Sequence, residues 1–250
     1  MDINTSLDFM EQLQLPARRV RRAALDTPKP IDDLTRPEAG IQENKLIAFT
    51  TGLDIKYKEA VKFSVQIAQA AANARYDQLT QRLEWYSEYS RTLQHAGWIG
   101  SDNKLTEYTK ANLEITMESV AIELIKLAAG PNAATIAELA NLAISSLKED
   151  TELTQKLQAA STSGTSGAFD IMPCLQREDD IVMYDHAMRF EHNASSGGFW
   201  FWSWAMKEVS LHHVANERTL NFSHFQNVEQ AIKEKLGANS NAFFNNLQLD

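Results

Sequence analysis

The strongest constraint on the fold is a change in hydrophobic period at the small-residue segment 161–167, "STSGTSG". Before this segment, apolar residues recur at the spacing of helices that pack on one face. After it, apolar and polar residues alternate as in strands. Because helices and strands occupy separate parts of the chain, the pattern predicts an α+β fold, in which helical hairpins cover an antiparallel sheet.

The helical part begins with a predicted hairpin. Asp54 is a candidate N-cap for its first helix, and Gly97 is a candidate terminator for its second. The segment 112–117, "NLEITM", alternates like a half-buried strand. Helical spacing then predicts three further helices, at 119–131, 134–147 and around 153–157.

The alternating pattern in the second part of the chain predicts a meander of antiparallel strands. We expect strands at 169–175, 181–192, 199–214 and 219–222, then a helix over 223–237 and a short helix around 242–247. The aromatic run "FWFWSW" begins the third strand and is apolar on both faces. Such a strand is normally central in a sheet, so these rings are expected to form the core.

Residues 1–45 differ from the rest because they combine several prolines with a basic cluster. Proline removes a backbone donor and disfavours helix at the preceding residue. The sequence therefore predicts an extended or mobile arm over 1–45 and a single α+β domain over 46–250.

The basic cluster of the arm consists of Arg18, Arg19, Arg21 and Arg22, in a chain whose net charge is −9. A basic arm is attracted to an acidic surface, so it is expected to dock on the body or on a neighbouring copy and favour a homo-oligomer. Proteolytic processing at the cluster is the second interpretation, and a short recognition helix is the third.

The composition excludes several classes of protein. An acidic chain argues against nucleic acid as a partner, because the phosphate backbone demands a positive surface. A single cysteine excludes an internal disulfide and a cysteine-based zinc site. No secretory signal or membrane-spanning run is visible, so we expect cytoplasmic synthesis, with release without a signal peptide as an option.

Histidine and cysteine are the remaining candidates for chemistry. His186 and His212 lie on neighbouring predicted strands and are expected to approach each other, which makes them candidate metal ligands. Their spacing is not a recognised ligand pattern, so we expect no metal or other cofactor. Cys174 is expected to fill the core as a small apolar residue, with catalysis or lipid attachment as alternatives.

The arm, the helical hairpins and the long strands together resemble the cytolytic delta-endotoxin-like fold, in element order, over residues 54 to 247. That fold includes a palmitoylated bacterial gut-virulence factor. The resemblance implies that Cys174, in "MPCL", is the residue that could carry a lipid. Independently of the resemblance, the tryptophans of the aromatic run have lipid contact as an alternative to the core, since such rings favour the membrane interface; they are Trp200, Trp202 and Trp204.

These observations lead to three hypotheses. The first is a non-enzymatic bacterial virulence or toxin-like protein that self-associates or engages a membrane, with lipid as a partner. The second is a structural protein that assembles through its basic arm. The third is a metal-dependent hydrolase that uses the strand histidines.

Overall fold

A computed structural model describes residues 2–15, 34–101, 103–108, 114–192, 203–205, 209–237, 245–247 and 249 of the chain. The helices of these ranges are numbered along the chain. They are α1 (Ile3–Gln12), α2 (Ile55–Arg75), α3 (Arg82–His95), α4 (Met117–Ala128), α5 (Ala133–Glu149), α6 (Thr151–Ser161) and α7 (Phe222–Leu236). A single 3₁₀ turn, Gly130–Asn132, joins α4 to α5.

The strands are β1 (Glu38–Gln42), β2 (Lys45–Phe49), β3 (Trp98–Gly100), β4 (Thr106–Glu107), β5 (Glu114–Thr116), β6 (Thr162–Ser163), β7 (Ser166–Arg177), β8 (Asp180–His192), β9 (Ser203–Ala205), β10 (Val209–Leu220) and β11 (Asn245–Leu247). The main sheet has the order β11-β1-β2-β7-β8-β10-β3, with β4 also on β10 and β6 on β7. β2 and β7 run parallel, whereas the other described pairs of this sheet are antiparallel.

Helices cover both faces of the sheet, which confirms the predicted α+β class. On one face, α4 and α5 share a core with the even-numbered residues of β8, such as Tyr184 and Met188. On the other, α2, α3 and α7 share a second core with odd-numbered residues such as Met183 and Ala187. The strict alternation along β8 follows from the two-residue period of a strand.

The predicted arm is wrong at both of its ends. Ile3–Gln12 is a helix whose N-cap, Asp2, accepts a hydrogen bond from the Thr5 backbone N–H at 3.1 Å. It docks on the body because Phe9 stacks on His95 with ring centroids 3.8 Å apart. Glu38–Gln42 joins the main sheet beside β2. The arginine cluster lies outside the described residues.

Two further predictions of secondary structure need correction. Residues 203–205 of the aromatic run form β9, which pairs with β5 in a separate two-stranded sheet and not in the main sheet that contains β10. Residues 245–247 form β11 on β1 instead of a short helix. Backbone hydrogen bonding to a partner distant in sequence decided both outcomes, and local periodicity carries no information about it.

A buried ion cluster joins three adjacent strands beneath α3. Lys45 of β2 and Arg189 of β8 each donate to a different carboxylate oxygen of Asp170 on β7. All three residues are almost completely buried. Burial alone would raise the pKa of Asp170, but Arg189 and Lys45 outweigh it and hold the pKa below its usual value.

Aromatic rings of α3 close this cluster from above. The Lys45 ammonium lies 4.7 Å from the ring centre of Tyr89, and the Arg189 guanidinium lies 5.2 Å from that of Trp85. A second buried pair, Arg218 with Asp185, bonds to the same helix, since the Tyr86 hydroxyl donates to Asp185 at 2.8 Å. Helix α3 is therefore attached to the sheet through charges as well as through packing.

Replacing Asp170 by asparagine should lower the free energy of unfolding by about 3–5 kcal/mol. The change leaves two buried cations without the carboxylate that neutralises them. Urea unfolding of the variant and the unaltered protein measures the difference.

Glu152→Gln is the matched control, because its ion pair with Lys156 is largely exposed. That change should leave the free energy of unfolding almost unchanged, because solvent screens an exposed ion pair. Equal costs for the two variants would contradict a structural role for the buried cluster.

Candidate functional site

The surface around α4 is the candidate functional site. The helix begins with a capping box, in which Thr116 and Ser119 each accept a hydrogen bond from the other's backbone N–H at 3.1 Å. It ends at Ala128, just before Gly130-Pro131, where proline cannot continue the helical hydrogen bonding.

Helix α4 has two apolar residues outside the stripe that faces the core. Val120, Leu124 and Ile125 are buried against the sheet. Leu127 is 74% exposed and Ile122 is only partly covered, and the two flank an outer side that is otherwise polar. A surface helix of a soluble protein normally turns polar residues to water, so an exposed leucine that lines a groove indicates a contact surface.

A shallow groove of about 550 Å³ follows this outer face between α4 and α5. Its apolar floor comes from Ile122 and Leu127, and its rim is polar. The groove-lining Glu118 is paired with Lys148, and Glu123 accepts a hydrogen bond from the Tyr108 hydroxyl at 3.0 Å. Lys126 also lines the groove, so the ionisable groups of the lining carry both signs of charge.

The backbone brings part of the aromatic run to the beginning of this helix. In the β5–β9 pair, Trp204 is opposite Ile115, which lies just before α4. The interpretation of the aromatic run as a central strand of the main sheet is thus wrong for 203–205. Trp200 and Trp202 lie outside the described residues.

His186 lies on the sheet face that α4 and α5 cover. Its side chain is completely buried, and among the described residues neither ring nitrogen has a hydrogen-bond partner. Burial, with a smaller effect of nearby His213, lowers the pKa of His186 to about 3. The imidazole is therefore neutral at ordinary pH.

The predicted approach of His186 to His212 is wrong in detail. β8 and β10 do pair antiparallel, but His186 is opposite Ala215 and His212 is opposite Arg189. Because faces alternate along a strand, His213 shares the face of His186. The pairing register, which the sequence did not reveal, decides which of the two adjacent histidines is near.

A metal site at these histidines finds no support in the geometry. Within the ranges that the structure describes, no group of three or more histidine, cysteine, aspartate or glutamate side chains is placed to hold a metal ion. The expectation that the chain needs no cofactor stays a prediction.

Cys174 packs in the core between β2 and β8, opposite Phe49 and Met183. Its side chain is completely buried, and burial, with a smaller effect of Asp185, raises the pKa of the thiol far above its usual value. A protonated, enclosed thiol is unreactive. Lipid attachment at Cys174 stays a prediction, and it would require the sheet and its helices to separate first.

Sequence reasoning missed the outer face of α4. The signal was present, since Ile122 and Leu127 fall outside the stripe formed by Val120, Leu124 and Ile125. Apolar residues outside the stripe that faces the core would have distinguished this helix from an ordinary surface helix.

Comparison with known proteins gives a likeness at the level of the fold alone. A delta-endotoxin structure is 12% identical, with a TM-score of 0.44, over 83% of this chain and 89% of that one. The Evf virulence factor is 11% identical, with a TM-score of 0.38, over 94% of this chain and 90% of that one. The resemblance in element order that the sequence indicated is thus confirmed as a weak one.

The structural neighbours are accordingly a toxin and a virulence factor. The sequence matches no family model. It also matches no curated protein.

Acid should weaken the protein through His186. The folded-state pKa is about 3 and the ordinary value is 6.5, so the unfolded chain takes up the proton first and stability falls as pH drops below 6.5. Between pH 7 and pH 5 the loss should be about 2 kcal/mol. Urea unfolding at both pH values should show a loss that is smaller by about this amount in His186→Leu than in the unaltered protein. A remaining loss is expected from His95 and His213, whose pKa values burial also lowers.

Val182→Ala is the control, because Val182 lies on the same face of β8 and does not titrate. It should lower the free energy of unfolding by a similar amount at both pH values. An equal acid loss in His186→Leu and in the unaltered protein would assign the pH dependence to other groups.

Proposed function

We propose that this protein is a non-enzymatic, toxin-like protein that binds lipid bilayers through α4. The observation that carries the proposal is Leu127, which is 74% exposed in the last turn of α4 and lines one groove together with Ile122. Water disfavours such a surface, whereas the boundary between lipid headgroups and acyl chains accommodates it.

The dimensions of α4 favour a helix that lies in the membrane surface. Its 12 residues span about 18 Å, which is shorter than the hydrocarbon core of a bilayer. In the part of the chain that the structure describes, no helix combines the length and hydropathy needed to cross a membrane. We therefore propose interfacial binding, in which the polar rim of the groove stays among the headgroups.

The aromatic run supplies a second contact in this proposal. Trp204 pairs through its backbone with Ile115, at the beginning of α4. Tryptophan favours the headgroup level, so we propose that a tryptophan at this backbone position adds to the same contact.

The charges around the groove indicate whether apolar or electrostatic forces drive binding. Glu118 is bonded to Lys148, and Lys126 shares the groove lining with Glu123, so the surface does not present a basic patch to anionic lipid. We propose that apolar burial drives binding. Binding to zwitterionic vesicles should then persist at high salt, which would screen an electrostatic contact.

Acid is proposed to promote the contact. His186 and His213 lie beneath α4, with Glu123 of that helix acting on His213, whose pKa burial lowers and Glu123 partly restores. Protonation of His186 in this apolar layer opposes the packing of α4 on the sheet. Loosening that layer exposes the inner apolar residues of the helix to lipid.

The experiment that tests the proposal is co-sedimentation with phosphatidylcholine vesicles at pH 7 and pH 5. Leu127→Glu should reduce the bound fraction at least tenfold, since a charge on the buried face of an interfacial helix is costly. The unaltered protein should bind more strongly at pH 5 than at pH 7.

Leu83→Glu is the matched control, because Leu83 is 58% exposed on α3, away from the groove. It should bind vesicles like the unaltered protein. Absence of binding by the unaltered protein at both pH values, or an equal loss in both variants, would refute the proposal.

Self-association is a second candidate activity, and one observation favours it. Ile99 is 63% exposed on β3, the strand that ends the main sheet beyond β10. An apolar strand at a sheet end is a template for pairing with another copy.

If copies pair through this edge, light scattering of the unaltered protein should give a mass above that of one chain. Ile99→Lys should return the mass to that of a monomer. A monomeric unaltered protein at every concentration tested would contradict pairing through β3.

A further inference from the structure

We propose that the cleft where α2 and α6 end binds a neutral carbohydrate. The cleft measures about 540 Å³, which lies within the range of ligand sites in proteins. Its wall includes Arg75, Tyr76, Asp77, Gln78, Ser161 and Thr162. It shares no lining residue with the groove on α4, so the inference does not depend on membrane binding.

Two polar groups in this wall are buried without a partner. Ser161 is 2% exposed, and its hydroxyl has no hydrogen bond to any residue that the structure describes. The same holds for the side-chain nitrogen of Gln78, which comes from a separate segment, the α2–α3 loop. Buried polar groups in proteins are normally hydrogen-bonded, so the pair points to a ligand that supplies oxygen acceptors and a hydroxyl donor.

The charges of the wall favour a neutral ligand. Arg75 donates to Glu88 at 3.2 Å, and Asp77 accepts from the backbone N–H groups of Leu79 and Thr80 at 3.0 and 2.8 Å. These bonds from the Thr80 turn hold the pKa of Asp77 below its usual value. One cation and one anion, each bonded within the protein, leave little net charge to attract an ion.

The helix geometry specifically disfavours an anionic ligand. Both α2 and α6 turn their C-terminal ends to the cleft, since Asn73 to Arg75 and Ala160 to Ser161 line it. Helix C-termini carry partial negative charge and present backbone carbonyl groups that have no partner within the helix. Carbonyl oxygens accept hydrogen bonds from ligand hydroxyl groups but repel a phosphate or a carboxylate.

A sugar combines the properties that this wall requires. Its hydroxyl groups both donate and accept, so they can serve the carbonyl groups of the helix ends, the Gln78 amide and the Ser161 hydroxyl together. The apolar face of a sugar ring can pack on the partly buried ring of Tyr76. This combination of polar groups and an aromatic ring in the wall is less suited to a purely apolar ligand, which would leave the polar groups without hydrogen bonds.

The wall is held in place before any ligand arrives. The Trp85 indole N–H donates to Asn73 at 2.7 Å, and the Asp77 backbone N–H donates to the side chain of Gln81 at 3.1 Å. The Thr162 hydroxyl donates to the Gln158 carbonyl at 2.9 Å, fixing the end of α6. A site that is already ordered loses little entropy on binding.

The test measures saturation-transfer NMR and calorimetry of the full chain with lactose, maltose and N,N′-diacetylchitobiose, without lipid. At least one disaccharide should bind. Ser161→Ala and Gln78→Leu should each weaken that binding about three- to tenfold, the contribution of one hydrogen bond.

Ser64→Ala is the matched control, because Ser64 on α2 is also buried with an unpartnered hydroxyl but does not line the cleft. It should leave binding unchanged, and circular dichroism should confirm that all three variants are folded. No binding of any disaccharide would overturn the proposal, as would equal effects of Ser161→Ala and Ser64→Ala. Binding of inorganic phosphate that Ser161→Ala abolishes would overturn the assignment to a neutral ligand.

A final experiment identifies whether the sugar is attached to a lipid. Vesicles with and without a galactosyl lipid compete with the bound disaccharide. Displacement by the glycolipid vesicles supports a lipid-borne glycan, and displacement by soluble sugars alone supports a free or protein-borne one. Because the first assay contains no lipid, failure of membrane binding and failure of sugar binding are distinguishable.

Discussion

The ion cluster of Lys45, Asp170 and Arg189 fixes the central strands of the sheet. It joins β2, β7 and β8, and thereby pins the parallel pair to its antiparallel neighbour. A slip of one residue in either pair would turn a buried charge to the opposite, apolar face, where it has no partner. The register of the strands, and with it the position of both helical layers, follows from this constraint.

The two faces of the sheet are attached to their helices in different ways. Helix α3 is attached through buried charges and hydroxyl groups, such as Tyr86 on Asp185. Helix α4 rests on the sheet mainly through apolar residues, above His186, whose ring is buried and neutral. Acid therefore weakens the α4 layer through His186, whereas the ion cluster beneath α3 resists acid because its cations hold the pKa of Asp170 below the usual value.

Local patterns in the sequence predicted the helices from Asp54 to His95 and the strand Asp180–His192, because a helix or strand of that length repeats its period many times. They did not predict the parallel pairing of β2 with β7, nor the pairing of β9 with β5, because those partners are far apart in the chain. The candidate site shows the same division. The apolar residues of α4 outside the stripe that faces the core are readable from spacing, but the choice of His213 over His212 depends on the register of β8 with β10.

The distance along the chain between Lys45 and Asp170 bears on how the protein folds as it is made. The two residues are separated by 125 positions. At typical rates of synthesis, about 6 to 25 seconds pass between their emergence from a ribosome. During that interval β1 and β2 lack the strand on which their order depends, and Lys45 lacks the carboxylate it must be buried with. Completion of the sheet is therefore a late event, and until then the unpaired edge of β2 is a site at which nascent chains can aggregate.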